Sequence, residues 1–92
     1  MLKIYTVCGN GIGSSLMCRV KVEEICEEMG IKADVNSTDF SQASGLNCDL
    51  IITIKELAQQ LPDKHCAVIR SYTNKKKIRE DIEESLLALT NK

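Results

Sequence analysis

Residues 2–15 read LKIYTVCGNGIGSS. The run LKIYTV, residues 2–7, is apolar and β-branched, which predicts a buried strand. Gly9, Gly11 and Gly13 then fall within five positions, and Ser14 or Ser15 is placed to cap a helix running to about Met29. A strand, a glycine-rich loop and a helix make the first βα unit of an α/β sheet. Cys8 stands where the strand enters the loop.

The rest of the chain repeats this alternation. Cys18, Val22, Ile25 and Met29 recur at helical spacing and give the first helix a core-facing stripe. Gly30 is its C-cap. IKADVNS, residues 31–37, alternates apolar and polar and predicts a second strand. The polar residues 38–47 predict a loop or short helix. LIITI, residues 50–54, is continuously apolar and predicts a central strand buried on both faces. KELAQQL is a short helix stopped by Pro62, and CAVIR, residues 66–70, is a fourth strand. Residues 74–90 predict the last helix, with Ile78, Ile82, Leu86 and Leu89 on one face. The expected fold is therefore a three-layer α/β domain. It has a four-stranded parallel sheet of order 2-1-3-4 with helices on both faces, flavodoxin-like in arrangement. Residues 1–92 read as a single domain, without repeat, linker or low-complexity tract.

Composition narrows the function. A chain of 92 residues buries roughly two-thirds of its unfolded surface, enough for one core. With 43% hydrophobic and 27% charged residues it is not disordered. A net charge of −1 gives no basic field for nucleic acid, and Tyr5, Phe40 and Tyr72 are too few aromatics for base stacking. No run approaches the roughly 20 apolar residues of a membrane helix, and the start MLKIYTVCGNG lacks the apolar core of a signal peptide. A cytoplasmic protein that does not itself span the membrane is expected. Five cysteines without a CxxC pair, and His65 alone, favour neither a disulfide framework nor a zinc site. No metal or cofactor is expected.

The loop Gly9, Asn10, Gly11, Ile12, Gly13, Ser14 and Ser15 suits a bound phosphate. Ligands of open α/β sheets bind beyond the carboxyl ends of the strands, where this loop lies. Glycines allow the backbone to approach an anion, successive amides form a nest, and a helix N-terminus adds free N–H groups. The same surroundings favour a thiolate, the nucleophilic form of Cys8. A phosphoryl group carried on its sulfur would sit inside the nest. The plainer alternative is a strand-to-helix turn with Cys8 as a small buried residue. For Cys18, Cys26, Cys48 and Cys66, on the first helix or at strand starts away from Cys8, packing is the better account.

Three phosphate-loop patterns compete. GxxxxGK[ST] fails, since Ser14 stands where its second glycine or lysine would come and no lysine follows. GxGxxG fails because Ser14 follows Gly9 and Gly11 at the last glycine position. A Cys-dependent phosphatase loop has Cys, five residues, Arg, then Ser or Thr. Cys8 and Ser15 fit it, but Ser14 occupies the arginine place. Without that guanidinium the transferring charge is poorly met, and SYTNKKK after the fourth strand offers no aspartate acid. The loop suits holding phosphate better than hydrolysing it.

At these residues the chain resembles the IIB components of the bacterial phosphoenolpyruvate-dependent sugar phosphotransferase system (PTS), over nearly its whole length. CGNG, SS and VNS at 35–37 look most like the ascorbate-type branch of the lactose/cellobiose/galactitol/ascorbate IIB proteins. The resemblance implies a phosphotyrosine-phosphatase-like fold and a phosphocysteine mechanism. A phosphohistidine IIA protein would donate to Cys8, the catalytic nucleophile, with 9–15 as its phosphate loop. Cys8 would then pass the group to a sugar, ascorbate or a relative, held by a membrane IIC permease. The chain would be cytoplasmic and associate with that permease. The alternative is a low-molecular-weight phosphatase or an arsenate-reductase-like enzyme.

Such a relay needs docking surfaces near Cys8. Leu16, Met17 and Val20 lie off the core stripe near the start of the first helix and suit a transient interface; the alternative is that they pack under a loop. Lys75, Lys76 and Lys77 open the last helix, where the dipole disfavours cations. They could attract an acidic or phosphorylated partner, or form a solvated run offset by nearby acids. Arg70 could reach the phosphate or serve structure.

Overall fold

The computed structural model describes residues 2–8 and 13–90, without the side chains of residues 13–15. Its elements are β1 (Leu2–Cys8), α1 (Gly13–Glu28), β2 (Ala33–Asp39), α2 (Phe40–Ala43), β3 (Leu50–Thr53), α3 (Lys55–Ala58), β4 (Cys66–Val68) and α4 (Lys75–Thr90). The strands form one sheet of order β2-β1-β3-β4 with every pairing parallel, as the alternation predicts.

Period-two alternation splits β3 between two cores. Ile52 joins Ile4, Cys18, Val22, Ile25, Ile78, Ile82 and Leu86, which bring α1 and α4 onto one face. Ile51 joins Val7, Ala43, Leu57 and Leu61, which cover the other face with α2 and α3. All four residues of β3 are buried, which explains its unbroken apolar run.

Element ends differ from the pattern by a few residues, for local reasons. Gly30 sits at φ +72°. Its N–H donates to the Glu27 carbonyl at 3.1 Å, and the Ile31 N–H donates to the Cys26 carbonyl at 2.8 Å. This is a Schellman closure of α1, in which a residue without Cβ takes the left-handed position. Ile31 is therefore used in the closure and packs on the core, so β2 starts at Ala33 instead of residue 31. The fourth strand stops at Val68, short of the expected Arg70. The Ile69 N–H still reaches the Thr53 carbonyl at 2.9 Å, but the Arg70 N–H donates to the Asp81 carboxylate at 3.0 Å.

Asn74 caps α4: its side-chain oxygen accepts the Lys77 N–H at 3.1 Å. Asn74→Ala is expected to destabilise the domain by about 1 kcal/mol, lowering Tm by about 4–8 °C. A melt within 1 °C of the wild type would show that water replaces the cap.

Candidate active site

β1 ends at Cys8 on the carboxyl edge of the sheet, and α1 begins five residues later at Gly13. Neighbouring strands follow on opposite sides: β2 on one flank of β1, β3 on the other. That reversal of direction is the switch point at which open α/β sheets hold ligands. The Cys8 side chain is 3% exposed. Gly9, Asn10, Gly11 and Ile12 lie outside the described residues. α1 opens at Gly13, ahead of the serines expected to cap it, so Ser14 and Ser15 lie within its first turn; a helix N-terminus still follows the thiol in the chain.

The flanks of β1 differ. Its ladder with β2 continues to Cys8, which faces Asp39 in register. Its ladder with β3 ends at Thr6 and Ile52. Beyond that point side chains replace the backbone donors. The Thr53 hydroxyl donates to the Val7 carbonyl at 2.9 Å, and the Tyr72 hydroxyl donates to the same oxygen at 2.8 Å. Burial pushes the Tyr72 phenol up, the Thr53 hydroxyl opposes this, and the neighbouring Cys8 and Cys18 sulfurs add to the rise. Sequence reasoning missed Thr53, Tyr72 and Asp39. A hydroxyl inside the apolar run LIITI was the available signal for Thr53. Nothing local marks Tyr72, which lies 65 residues from its acceptor.

Two residues left open by the sequence have side-chain partners. Arg70, read as reaching the phosphate or serving structure, pairs through its guanidinium with Asp81 and Glu80 of α4, each at 3.2 Å, which favours the structural reading. Lys75 is not a free member of the lysine run. It pairs with Glu28 at 2.5 Å, and Arg79 pairs with the same carboxylate at 3.2 Å. The hydrogen bond from Lys75 holds the Glu28 carboxyl below its usual range. Two cations one helical turn apart thus fasten α4 to the last residue of α1. Lys76 and Lys77 are exposed. Leu16, Met17 and Val20 are exposed too, at 40%, 52% and 55%, on the first two turns of α1.

The remaining thiols differ in burial. Cys18 and Cys26 are buried on α1; Cys48 and Cys66 are half-buried near the starts of β3 and β4. Burial raises all four, Cys18 to about 12. A neutral buried thiol gives a definite alkaline signature. Its stabilisation is whole below about pH 9, where the unfolded chain also keeps the proton, and is lost as pH rises toward about 12. Between those limits Cys18 alone removes about 1.4 kcal/mol per pH unit. Urea midpoints of Cys18→Ala should fall less steeply with pH than those of the wild type. Parallel slopes would mean that Cys18 ionises freely in the fold.

Among the described residues no helix is long and apolar enough to cross a membrane. In structure the chain is similar to the solution structure of a low molecular weight protein tyrosine phosphatase from Bacillus subtilis. The TM-score is 0.55 at 13% identity, covering 99% of this chain and 100% of the other, a likeness of fold. In sequence it is 36% identical over 61 residues to the "Ascorbate-specific PTS system EIIB component" of Mycoplasma pneumoniae, covering 64% of each chain. It is also 36% identical over 64 residues to the protein of that name from Shigella sonnei, covering 65% of this chain and 61% of the other. The chain thus spans just under two thirds of the length of the curated relatives it matches. The family model described as "PTS system, Lactose/Cellobiose specific IIB subunit" matches residues 3–86. With that match running from β1 into α4, the chain belongs to the PTS IIB family, a family of phosphotransferases.

Proposed function

We propose that the chain is a phosphoryl carrier and that Cys8 is its acceptor. The observation that supports this most is the position of Cys8: at the carboxyl end of β1, at the sheet's switch point, with α1 opening five residues on. In the first step the Cys8 thiolate attacks the phosphorus of a phosphohistidine on a IIA protein. The N–P bond breaks, an S–P bond forms, and the ring leaves as neutral imidazole, taking up the equivalent of the proton that the thiol gave up on ionising. In the second step a substrate hydroxyl attacks that phosphorus. The S–P bond breaks, the hydroxyl proton is released, and the thiolate is regenerated. Amides of the residue 9–15 loop and the N-terminus of α1 supply the donors that meet charge on the phosphoryl oxygens in both steps.

The acceptor is ascorbate or a related sugar held by a membrane IIC component, a reading supported by the names of the two curated relatives. The exposed Leu16, Met17 and Val20, beside the proposed site, form the apolar part of the docking surface. Lys76 and Lys77 contribute to encounter with an acidic partner, without Lys75. The protein works at the cytoplasmic face, where it meets the permease.

Incubation with a phosphorylated IIA protein, regenerated from phosphoenolpyruvate, tests this reading. Intact mass should record one added phosphoryl group, and peptide mapping should place it on Cys8. Label on His65, or none, would overturn the reading. Rapid hydrolysis of an aryl phosphate would favour a phosphatase instead, against the serine at position 14.

A further inference from the structure

The end of β1 is held by an arrangement that the proposed chemistry does not by itself require. Up to Thr6 the strand has backbone partners on both sides. At Val7 the β3 ladder has ended, while the β2 ladder continues to Cys8. The Val7 carbonyl, one peptide bond from Cys8, instead accepts two hydroxyls: Thr53 from the last residue of β3, at 2.9 Å, and Tyr72 from the β4–α4 loop, at 2.8 Å. A carbonyl has two lone pairs, and here each has its own donor.

Both donors are themselves fixed. Thr53 is fully buried in the central strand. Tyr72 packs its ring against the core between α1 and α4. Its loop is braced on either side: the Ser71 hydroxyl oxygen accepts the N–H groups of Thr73 and Asn74, each at 3.2 Å, and Arg70 is forked onto Asp81. Tyr72 is thus a rigid strut from the far end of the chain to the peptide that precedes the thiol. A purely structural hydrogen bond could have been supplied by extending β3 one residue. Two side-chain donors leave the sheet open at its switch point while fixing the strand that ends there.

We propose that Tyr72 and Thr53 are positioning residues for phosphoryl transfer: by clamping the Val7 carbonyl they hold the Cys8 sulfur in line with the phosphorus it attacks. This rests on the assignment of Cys8 as the acceptor. Near-attack placement accounts for much of the rate of such transfers, and a small displacement of the nucleophile is felt strongly. Because both hydroxyls act on one oxygen, their removal is non-additive. Asp39 of β2 faces Cys8 in register, and the Tyr72 phenol feels both Cys8 and Cys18 of α1.

The test compares wild type, Tyr72→Phe, Thr53→Val, Thr53→Ser and the Tyr72→Phe/Thr53→Val pair. Each full-length protein, checked by its melt, receives phosphoryl groups from a phosphorylated IIA protein in single turnover at varied donor concentration. Tyr72→Phe and Thr53→Val should each lower the plateau rate about tenfold or more, with the half-saturating donor concentration within about twofold of wild type. Thr53→Ser, which keeps the hydroxyl, should retain the wild-type plateau. A wild-type plateau in Tyr72→Phe, or equal losses in Thr53→Ser and Thr53→Val, would overturn the clamp. Should Tyr72→Phe not fold, the two Thr53 variants decide alone. Failure of the wild type to take label on Cys8 is a different result: it removes the carrier reading and the clamp's role with it.

Discussion

Cys8→Ser should abolish phosphoryl acceptance, lowering the rate of labelling by about three orders of magnitude or more. The substitution changes one atom at a side chain that is 3% exposed, so the packing around it is nearly preserved. What it removes is the thiolate. Among uncharged hydroxyl and thiol nucleophiles, cysteine alone has an appreciable anionic fraction near neutral pH, and a serine hydroxyl needs an adjacent base to reach it. The variant should melt close to the wild type and still bind the IIA donor, which separates loss of chemistry from loss of structure. Serine labelled at a rate within tenfold of cysteine would mean that the group at position 8 is not the nucleophile.

The second large effect is on stability. Ile52→Ala should destabilise the domain by about 3–4 kcal/mol, a large part of the roughly 5–15 kcal/mol that holds such domains folded. Ile52 is fully buried, pairs with Thr6 on one side and Ala67 on the other, and faces the α1/α4 core. Those two helices are 16 residues each and packed along their length, so a local void is not readily closed by moving either one. Ile51→Ala, on the opposite face, is expected to cost less, about 2 kcal/mol. Its cover is α2 and α3, four residues each, which can settle inward. Urea unfolding with an unchanged slope would measure both. Equal losses, or a larger one at Ile51, would contradict this account of the two layers.

The sheet order was legible because each strand is followed by a helix-forming segment, and parallel pairing with right-handed crossovers leaves few arrangements. Cys8 and the glycine loop stand out in the sequence for a related reason, since their residues are contiguous, and the structure places Cys8 at the end of β1. The exposed side of α1 also followed from helical spacing, which set Leu16, Met17 and Val20 apart from the buried Cys18, Val22 and Ile25. What escaped was set by contacts between distant parts of the chain. Arg70 meets Asp81 across a loop, Lys75 meets Glu28 across 47 positions, and Tyr72 meets Val7 across 65. Charge and exposure alone could not choose between those partners and a phosphate or a docking protein. The start of β2 shifted for a subtler reason. Ile31 matches a strand pattern as well as it matches the apolar residue that follows a glycine helix stop.

The central place of β1 has a consequence for how the molecule comes into being. β1 is the earliest strand in the chain, yet its two partners lie about 30 and 46 positions later. During synthesis one side of it must wait, unpaired, until β3 has emerged, and the α1 face stays uncovered until Ile78, Ile82 and Leu86 of α4 arrive. Pairings so distant make folding slow relative to a helical bundle of this size. The nascent chain therefore carries the apolar LIIT and one open side of LKIYTV before the helices that bury them are in place, which is the interval in which a chain of this topology is most exposed to aggregation.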